Sequence, residues 1–281
     1  MQGIVWLSSY PKSGNTWMRA YLANLLSDKP GPLPLAEVQK VCTGEALKTW
    51  YKTFFGEDFP TDDNERVAQM RGEVQRRIAS LFNNPVFLKT HCYLGEAHGH
   101  PIFNMDATIA AIYIVRNPLD VAISAAPHYG VTIDKSIEYL ADEHHSSKAD
   151  GELVYEKTAD WSLHVKSWTQ VEHPGLLVLR YEDMLSKPEK AFTRVARFLG
   201  IRKTKKQIRQ AIKNASFKTL QDLEKKEGFS EKPAYTEQFF RKGKAGDWKN
   251  TLTDEQIRQV INSHREQMER FGYIPEGYED T

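Results

Sequence analysis

The sequence predicts an α/β fold: a single domain over residues 1–281, with a central parallel β-sheet flanked by helices on both faces. Three observations predict it. Four short apolar segments with β-branched residues are spread along the chain. Several of the stretches between and after them have the 3.6-residue periodicity of amphipathic helices. A chain of 281 residues with 40% hydrophobic content is also long enough to bury one large core of this kind.

The apolar segments are typical of strands buried on both faces of a parallel sheet, which are short and continuously apolar. They are Ile4–Leu7, Val86–Leu88, Ile109–Val115 and Leu176–Leu179. Polar or charged residues follow each one, as Lys89, Thr90 and His91 follow the second. Because ligands of open α/β sheets bind beyond the carboxyl ends of the strands, we expect these polar tails to share one rim.

Amphipathic periodicity predicts five helices. They are Thr16–Leu26, Pro118–Ala126, Trp161–Val171, Pro188–Leu199 and Asp254–Phe271. A proline suits the first helical turn, where its missing N–H costs no intrahelical hydrogen bond, so Pro118 and Pro188 mark helix starts. Residues 29–64 and 216–246 have weaker periodicity. We expect them to be irregular and long enough to act as lids over a site.

The composition narrows the classes of function. The 38 Lys and Arg residues and the 37 Asp and Glu residues leave a net charge of +1. A surface that is basic throughout and binds nucleic acid is therefore not expected, and any basic site is local. The two cysteines, Cys42 and Cys92, suggest neither a disulfide framework nor a zinc site. No apolar run approaches the ~18 residues of a membrane helix. We therefore expect a soluble cytoplasmic protein with no membrane or nucleic-acid partner.

The most informative segment is IVWLSSYPKSGNTW, residues 4–17, which has the order strand, tight loop and helix. The loop and the start of the helix hold Lys12, Ser13, Gly14, Asn15 and Thr16. Backbone N–H groups and a helix N-terminus point at one spot beside a lysine, so the segment predicts a site for a phosphate-like group. The Walker order G-x-x-x-x-G-K-[ST] is absent, because Lys12 precedes Gly14 and no lysine stands directly before Thr16.

Four segments resemble, in the same order, those of sulfotransferases that use 3′-phosphoadenosine 5′-phosphosulfate (PAPS), especially the soluble cytosolic type. They are YPKSGNTW (10–17), KTH (89–91), IYIVRNPLDVAIS (112–124) and RKGKAGDWK (241–249). The resemblance spans nearly the full chain. It implies a P-loop-like fold related to that of nucleoside kinases, and transfer of a sulfuryl group from PAPS to a hydroxyl. The second product would be adenosine 3′,5′-bisphosphate (PAP).

The resemblance also implies the catalytic roles. His91 would be the general base that takes the proton of the acceptor hydroxyl, which suits imidazole because its unperturbed pKa is close to neutral. Lys12 would meet the oxygen that bridges phosphorus and sulfur and stabilise the charge on the leaving nucleotide. Lys89 would assist at the same centre. The resemblance also counts Ser124 among the catalytic residues.

The two phosphate groups of the donor would be held by separate segments. The resemblance assigns the 5′-phosphosulfate to the loop residues Lys12 to Thr16. It assigns the 3′-phosphate to Arg116 and Ser124, with a second clamp formed by Arg241, Lys242 and Gly243. The planar fork of arginine matches phosphate oxygens. An alternative for Arg116 is an ordinary i,i+4 contact with Asp120, and the charged run that follows Arg241 would by itself be read as a solvated face.

For the adenine, the resemblance implies stacking by Trp17 and Phe217 and polar contacts from Tyr181 and Ser216. Leu220 and Phe239 would be walls of the same pocket. Each of these aromatic residues also suits an ordinary core position. Ala215 stands where relatives commonly have a hydroxyl, so one hydrogen bond to the nucleotide would be absent.

No metal is expected, because fixed lysines and arginines would supply the positive charge. Five histidines show no metal-ligand spacing: His98, His100, His128, His144 and His145. The last two are adjacent on a predicted helix and point in different directions. The segment that many relatives use to dimerise should begin at Lys249. Here Asp254 and Arg258 replace its valine and glutamate, so the motif is degraded. A dimer is possible, but the resemblance does not imply one.

The acceptor is expected to be a small molecule with a hydroxyl, whose identity the sequence leaves open. Its pocket is predicted to be lined by Trp50–Phe59, Tyr93–Phe103, Pro127–Tyr129 and Phe229–Phe239. One alternative function is a nucleotide kinase, against which the missing Gly-Lys-Ser/Thr order counts. The other is a catalytically dead nucleotide-binding module. The joint presence of Lys12, His91 and Ser124 counts against it, because binding alone needs no base.

Overall fold

The computed structural model describes residues 2–280 and contains a five-stranded parallel sheet. Its strands are β1 (Ile4–Ser9), β2 (Cys42–Gly44), β3 (Val86–Thr90), β6 (Thr108–Val115) and β7 (Leu176–Arg180). They lie in the order β2-β3-β1-β6-β7. A short antiparallel hairpin consists of β4 (Glu96–Ala97) and β5 (His100–Pro101). β1 lies at the centre, so the loop that follows it opens at the middle of the sheet rim.

Helices cover both faces of the sheet. They are α1 (Asn15–Leu26), α2 (Leu35–Val41), α3 (Lys48–Phe55), α4 (Asn64–Ser80), α5 (Pro118–Tyr129), α6 (Ile133–Ala141), α7 (Trp161–Thr169), α8 (Tyr181–Ser186), α9 (Pro188–Phe198), α10 (Lys205–Asn214), α11 (Phe217–Glu227) and α12 (Asp254–Phe271). Two short 3-10 helices cover Met105–Ala107 and Asp247–Asn250. No helix within residues 2–280 combines the length and the apolar character needed to cross a membrane.

Two hydrophobic cores lie on opposite faces of the sheet, because successive side chains of a strand point to opposite sides. Trp6 and Tyr113 belong to the core that is covered by α4, α5, α6, α7 and α12. Leu7, next to Trp6, and Ile112, next to Tyr113, belong to the core covered by α1, α2, α9 and α10. Burial on both faces explains why the central strands read as continuous apolar runs.

The predicted fold class is confirmed. The four predicted strands are β1, β3, β6 and β7, and the five predicted helices are α1, α5, α7, α9 and α12. α5 differs at its end: it continues past Ala126 through Pro127 and stops at Tyr129, where Gly130 takes a left-handed conformation. The predicted turn at Pro127–Tyr129 is therefore the last turn of a helix.

The prediction of an irregular segment over residues 29–64 is wrong. That stretch contains α2, α3 and the edge strand β2, which pairs with β3. Helices of seven and eight residues are too short for a clear period. They depend on a few buried side chains: Leu35 and Val38 in α2, and Tyr51 in α3.

One further local prediction holds only in part, and another is wrong. Residues 216–246 begin with the helix α11, which Ser216 caps by accepting from the Thr219 N–H; only Leu220 and Glu224 are buried along it, so its apolar period is weak. Residues 228–246 have no regular element, as expected. His144 and His145 do not lie on a helix. α6 ends at Ala141, and the Asp142 carboxylate accepts from the His144 N–H, which turns the chain.

Candidate active site

The loop between β1 and α1 is built around two residues with positive φ. Lys12 has φ 66° and Gly14 has φ 105°. A Cβ on Gly14 would lie 2.8 Å from the Tyr181 ring, so glycine is required there by both conformation and space. Asn15 anchors the loop by donating to the Leu7 carbonyl at 2.8 Å. No side chain of the described residues caps the α1 N-terminus, so its first N–H groups are available to an anion.

The Lys12 ammonium points into a cavity and lies 4.1 Å from the centre of the Phe239 ring. Burial, together with the positive charges of Arg116 and Arg241, lowers the pKa of Lys12 to about 8. A bound anion would offset the repulsion between these positive charges and stabilise the charged form of Lys12. The loop is thus set up electrostatically for a negatively charged ligand.

Arg116 follows β6 directly and fixes the loop. Its guanidinium donates to the Lys12 carbonyl at 2.7 Å and to the Lys244 carbonyl at 3.2 Å, and it lies 4.4 Å from the centre of the Tyr181 ring. The alternative contact with Asp120 is not formed. The Asp120 carboxylate instead accepts from the N–H groups of Gly246 (2.7 Å) and Trp248 (3.1 Å). Arg116 therefore keeps its positive charge available to the cavity.

The late glycine-rich segment closes the same end of the cavity. Arg241 donates to the Ile123 carbonyl at 3.3 Å, and Lys242 pairs with Asp247 at 2.6 Å. Gly243 has φ 59°, and a Cβ there would lie 2.2 Å from the Phe217 ring. Residues 241–243 and Ser124 on α5 all line the cavity beside Arg116.

Most of the predicted adenine residues lie around one end of the cavity. Its lining includes Trp17, Tyr181, Phe217, Leu220 and Phe239. Trp17 and Tyr181 meet edge to face with ring centres 5.9 Å apart. Ser216 and Ser13 are not in the lining. Ser216 is used as the α11 cap, and the Ser13 hydroxyl is buried with no hydrogen-bond partner in the described part of the chain.

His91 follows β3 and is held by hydrogen bonds on three sides. Its ring Nδ1 lies 2.8 Å from the Ser9 carbonyl, its backbone N–H donates to Glu156 at 3.0 Å, and its carbonyl accepts from His164 Nε2 at 3.1 Å. A carbonyl only accepts, so Nδ1 carries the proton and Nε2 has a free lone pair. Burial and then Lys89 lower the pKa of His91 to about 4, so the ring is neutral near pH 7.

One cavity of about 910 Å³ joins these groups. Of the residues carried over by the resemblance, it is lined by Lys12, Gly14, Asn15, Thr16, Trp17, Lys89, His91, Arg116, Ser124, Tyr181, Phe217, Leu220, Phe239, Arg241, Lys242 and Gly243. Segments far apart in the chain therefore meet at the carboxyl ends of β1, β3 and β6. The lining also includes His128, Tyr129 and parts of residues 145–158 and 230–235, with Lys148 and Lys232 among them.

The predicted acceptor walls are half wrong. Neither Trp50–Phe59 nor Tyr93–Phe103 lines the cavity. Trp50 and Phe54 pack on the hydrophobic core instead. His128 and Tyr129 at the end of α5 do line the cavity, as do residues 230–235 and Phe239.

A further part of the wall comes from residues 145–158, none of which was predicted as a site residue. This connection between α6 and α7 has no regular element in the sequence pattern. It is held by isolated bridges, among them Ser146 with Lys157 and Asp150 with Leu153. Its cavity-lining side chains are mostly polar, so no apolar period marks it in the sequence.

A buried ion pair between Arg19 and Glu231 was also missed. Arg19 is 2% exposed and donates to both Glu231 carboxylate oxygens, at 2.7 and 3.0 Å. Burial alone would raise the pKa of Glu231, but Arg19 and Lys89 outweigh it and lower that pKa to about 2. The pair fastens the segment after α11 to α1. Its partners are 212 residues apart, so no local pattern could reveal it.

Among residues 2–280, one group of potential metal ligands brings Glu45, Cys92 and Glu156 within 4.8 Å of one another. The Arg71 guanidinium reaches Glu45 at 3.0 Å and the Cys92 sulfur at 3.1 Å, so a positive charge already stands at two of the three ligands. None of the five histidines discussed above belongs to the group.

A family model described as the sulfotransferase domain matches residues 3–272. Sulfotransferase 1A1 of Canis lupus familiaris is 25% identical over 272 residues, which cover 95% of this chain and 83% of that protein. Flavonol 3-sulfotransferase of Flaveria bidentis is 26% identical over 280 residues, which cover 91% of this chain and 78% of that protein.

A solved structure of mouse sulfotransferase SULT7A1, complexed with PAP, superposes with a TM-score of 0.64 at 20% identity. The match covers 95% of this chain and 85% of that one. At this identity the likeness establishes the fold and leaves the site to be argued from its own residues.

Proposed function

The chain belongs to the sulfotransferase domain family, and we propose that it transfers a sulfuryl group from PAPS to the hydroxyl of a small molecule, leaving PAP. One observation carries the proposal. Lys12, Arg116 and His91 line a single cavity, although they follow three different strands. The cations suit the donor phosphates, and the neutral imidazole suits the acceptor hydroxyl.

The polar groups of the donor end support a fit to this nucleotide. The Arg116 Nε and the Trp17 Nε1 are buried donors without a partner among residues 2–280, a costly state that ligand oxygens or nitrogens would relieve. Gly14 and Gly243 let the backbone approach where a Cβ would collide with a ring. We assign the 5′-phosphosulfate to residues 12–16 and the 3′-phosphate to Arg116, Ser124 and residues 241–243.

In the proposed reaction the acceptor oxygen forms a bond to sulfur while the bond from sulfur to the bridging oxygen breaks, and the electron pair stays on PAP. His91 Nε2 takes the hydroxyl proton, with Nδ1 fixed on the Ser9 carbonyl. Lys12, assisted by Lys89, stabilises the charge that develops on the bridging oxygen. Side-chain cations carry this task in the proposal, and turnover that persists in EDTA would support that part of it.

The two pKa shifts predict the pH dependence of kcat/KM, which reports ionisations of the free enzyme. His91 has to be neutral, so kcat/KM should rise as the pH climbs through about 4. Lys12 has to be charged, so kcat/KM should fall as the pH climbs through about 8. Initial rates between pH 4 and 10, with circular dichroism at each pH to verify folding, test this. Lys12→Arg should abolish the alkaline fall, and an alkaline limb that persists in this variant would assign it to another group.

Arg116→Lys tests the 3′-phosphate assignment. The variant keeps the charge but loses the planar fork, so we expect PAP to bind about 10–100-fold more weakly. AMP, which lacks the 3′-phosphate, should bind to both proteins within about twofold. Calorimetric titrations of each nucleotide measure the two affinities. Equal losses for PAP and AMP would show that Arg116 only supports the loop.

A nucleotide kinase and a binding module without turnover are the competing functions. Transfer of labelled sulfate to a phenol in the absence of magnesium would exclude both. PAP binding without any turnover across a broad acceptor panel would favour the module.

A further inference from the structure

Glu156 lies in the cavity wall beside His91. It is 7% exposed, lines the cavity, and accepts the backbone N–H of His91 on one carboxylate oxygen at 3.0 Å. Its own backbone N–H is tied to the Ser147 hydroxyl at 2.9 Å, which fixes the residue in the cavity wall. The carboxylate is thereby attached to the same residue that would activate the acceptor.

The second carboxylate oxygen of Glu156 has no hydrogen-bond donor among residues 2–280, and no lysine or arginine forms an ion pair with it there. The nearby Arg71 is paired with Glu45. Burial alone would raise the pKa of Glu156, but Lys89, His91 and Arg71 outweigh it and keep that pKa below its ordinary value. The carboxylate therefore keeps its charge near neutral pH, and its second oxygen, which is not sealed off from solvent, is open to a ligand in the cavity that Glu156 lines.

Solvent in the cavity can hydrate this oxygen, but an acceptor that fills the cavity displaces the water, and the oxygen is then costly to leave without a donor. The cavity lining also holds donors such as Ser147, Lys148 and Lys89, but within residues 2–280 none of them donates to the Glu156 carboxylate. Thr158 is bonded to the ring and carbonyl of His145, and Asp150 and Glu152 at the rim add only further acceptors. An apolar phenol or alcohol would cover this oxygen and remove it from water. A ligand with a suitably placed N–H or O–H would satisfy it.

We propose that the acceptor carries a second hydrogen-bond donor, a hydroxyl or an ammonium group, next to the hydroxyl that is sulfated, and that Glu156 binds this donor. The proposal rests on the function proposed above. The donor has to be close to the reacting hydroxyl because Glu156 is bonded to His91 itself. Glu156 would therefore determine acceptor specificity by rejecting acceptors that leave its oxygen unpaired.

Four phenols of similar size test this with labelled PAPS. Catechol offers a second hydroxyl and 2-(aminomethyl)phenol an ammonium group, whereas phenol and 2-methoxyphenol offer no second donor. Phenol is smaller and 2-methoxyphenol larger than catechol, so size cannot explain a preference. We expect kcat/KM for the two donor-bearing acceptors to exceed that for the other two by about 10-fold or more. The ratio of kcat/KM for catechol to kcat/KM for 2-(aminomethyl)phenol shows whether a neutral or a charged donor is preferred.

Glu156→Gln should reduce this preference to within about twofold, because the amide can still accept the His91 N–H but turns the cavity-facing position into a donor or a neutral acceptor. Using the ratio of acceptors cancels any general loss from a disturbed His91. Glu143→Gln, on the same connection but exposed and outside the cavity, is the matched control and should keep the preference. An unchanged preference in Glu156→Gln, or equal rates for all four phenols with the native chain, would overturn the proposal.

Binding separates this proposal from the proposed function. PAP binding and sulfate transfer to any of the four phenols report on the function itself. If none of the phenols is sulfated, calorimetric titration of each into the PAP-loaded protein takes over as the readout. Tighter binding of catechol than of 2-methoxyphenol, lost in Glu156→Gln, would support the proposal, and equal or undetectable binding of both would reject it.

Discussion

His91→Ala is expected to lower kcat by about 10²–10⁴-fold, the usual contribution of a general base. The affinity for PAP should stay within about twofold of the native value, because His91 touches the proton of the acceptor and not the nucleotide in the proposed complex. Rates with labelled PAPS and calorimetric titrations of PAP provide the two numbers. The combination of a large kinetic loss with retained nucleotide binding is specific to the base.

A second histidine provides the control for this experiment. His144 is exposed and lies outside the cavity, so His144→Ala should leave both numbers unchanged. If His91→Ala instead loses PAP binding in parallel with kcat, His91 supports the donor site and another group takes the proton.

Lys12→Met should lower kcat by about 10²–10³-fold, the range measured when one donor that stabilises a developing negative charge is removed. The substitution isolates the charge. Methionine has a similar length, meets the same backbone demand at φ 66°, and can keep a favourable sulfur contact with the Phe239 ring. Single-turnover rates with saturating PAPS measure the chemical step apart from binding.

Lys12→Arg is the matched control, because it restores a positive charge at the same position. It should recover part of the rate that Lys12→Met loses. If methionine and arginine lose the same amount, the ammonium contributes through its exact position or its proton rather than its charge. If neither loses activity, Lys12 has no part in the reaction.

The parts of the site that the sequence predicts are those with local signals. The strand, loop and helix at residues 4–17 predict an anion site because the lysine, the glycine and the helix start are contiguous in the sequence. Arg116 and His91 each follow a buried apolar strand, and parallel strands bring their carboxyl ends together. Proximity of these residues was therefore implied once the strands were recognised.

The parts that the sequence does not predict depend on contacts between distant segments. Glu156 meets the His91 N–H across 65 residues, and Arg19 meets Glu231 across 212. Neither pair has a periodic or local pattern, and each glutamate would be read as solvated in isolation. The acceptor walls were misassigned for a related reason: aromatic residues such as Trp50 suggest a pocket, but here they pack on the core.

A crystal structure of the protein with PAP tests the central claim most directly, that the cations of three segments hold the donor beside a neutral His91. We predict the 5′-phosphate within about 3 Å of the Lys12 ammonium and the 3′-phosphate within about 3 Å of the Arg116 guanidinium. His91 should keep Nδ1 on the Ser9 carbonyl and direct Nε2 toward the vacant side of the cavity. PAP bound elsewhere, or bound with its 3′-phosphate away from Arg116, would contradict the account.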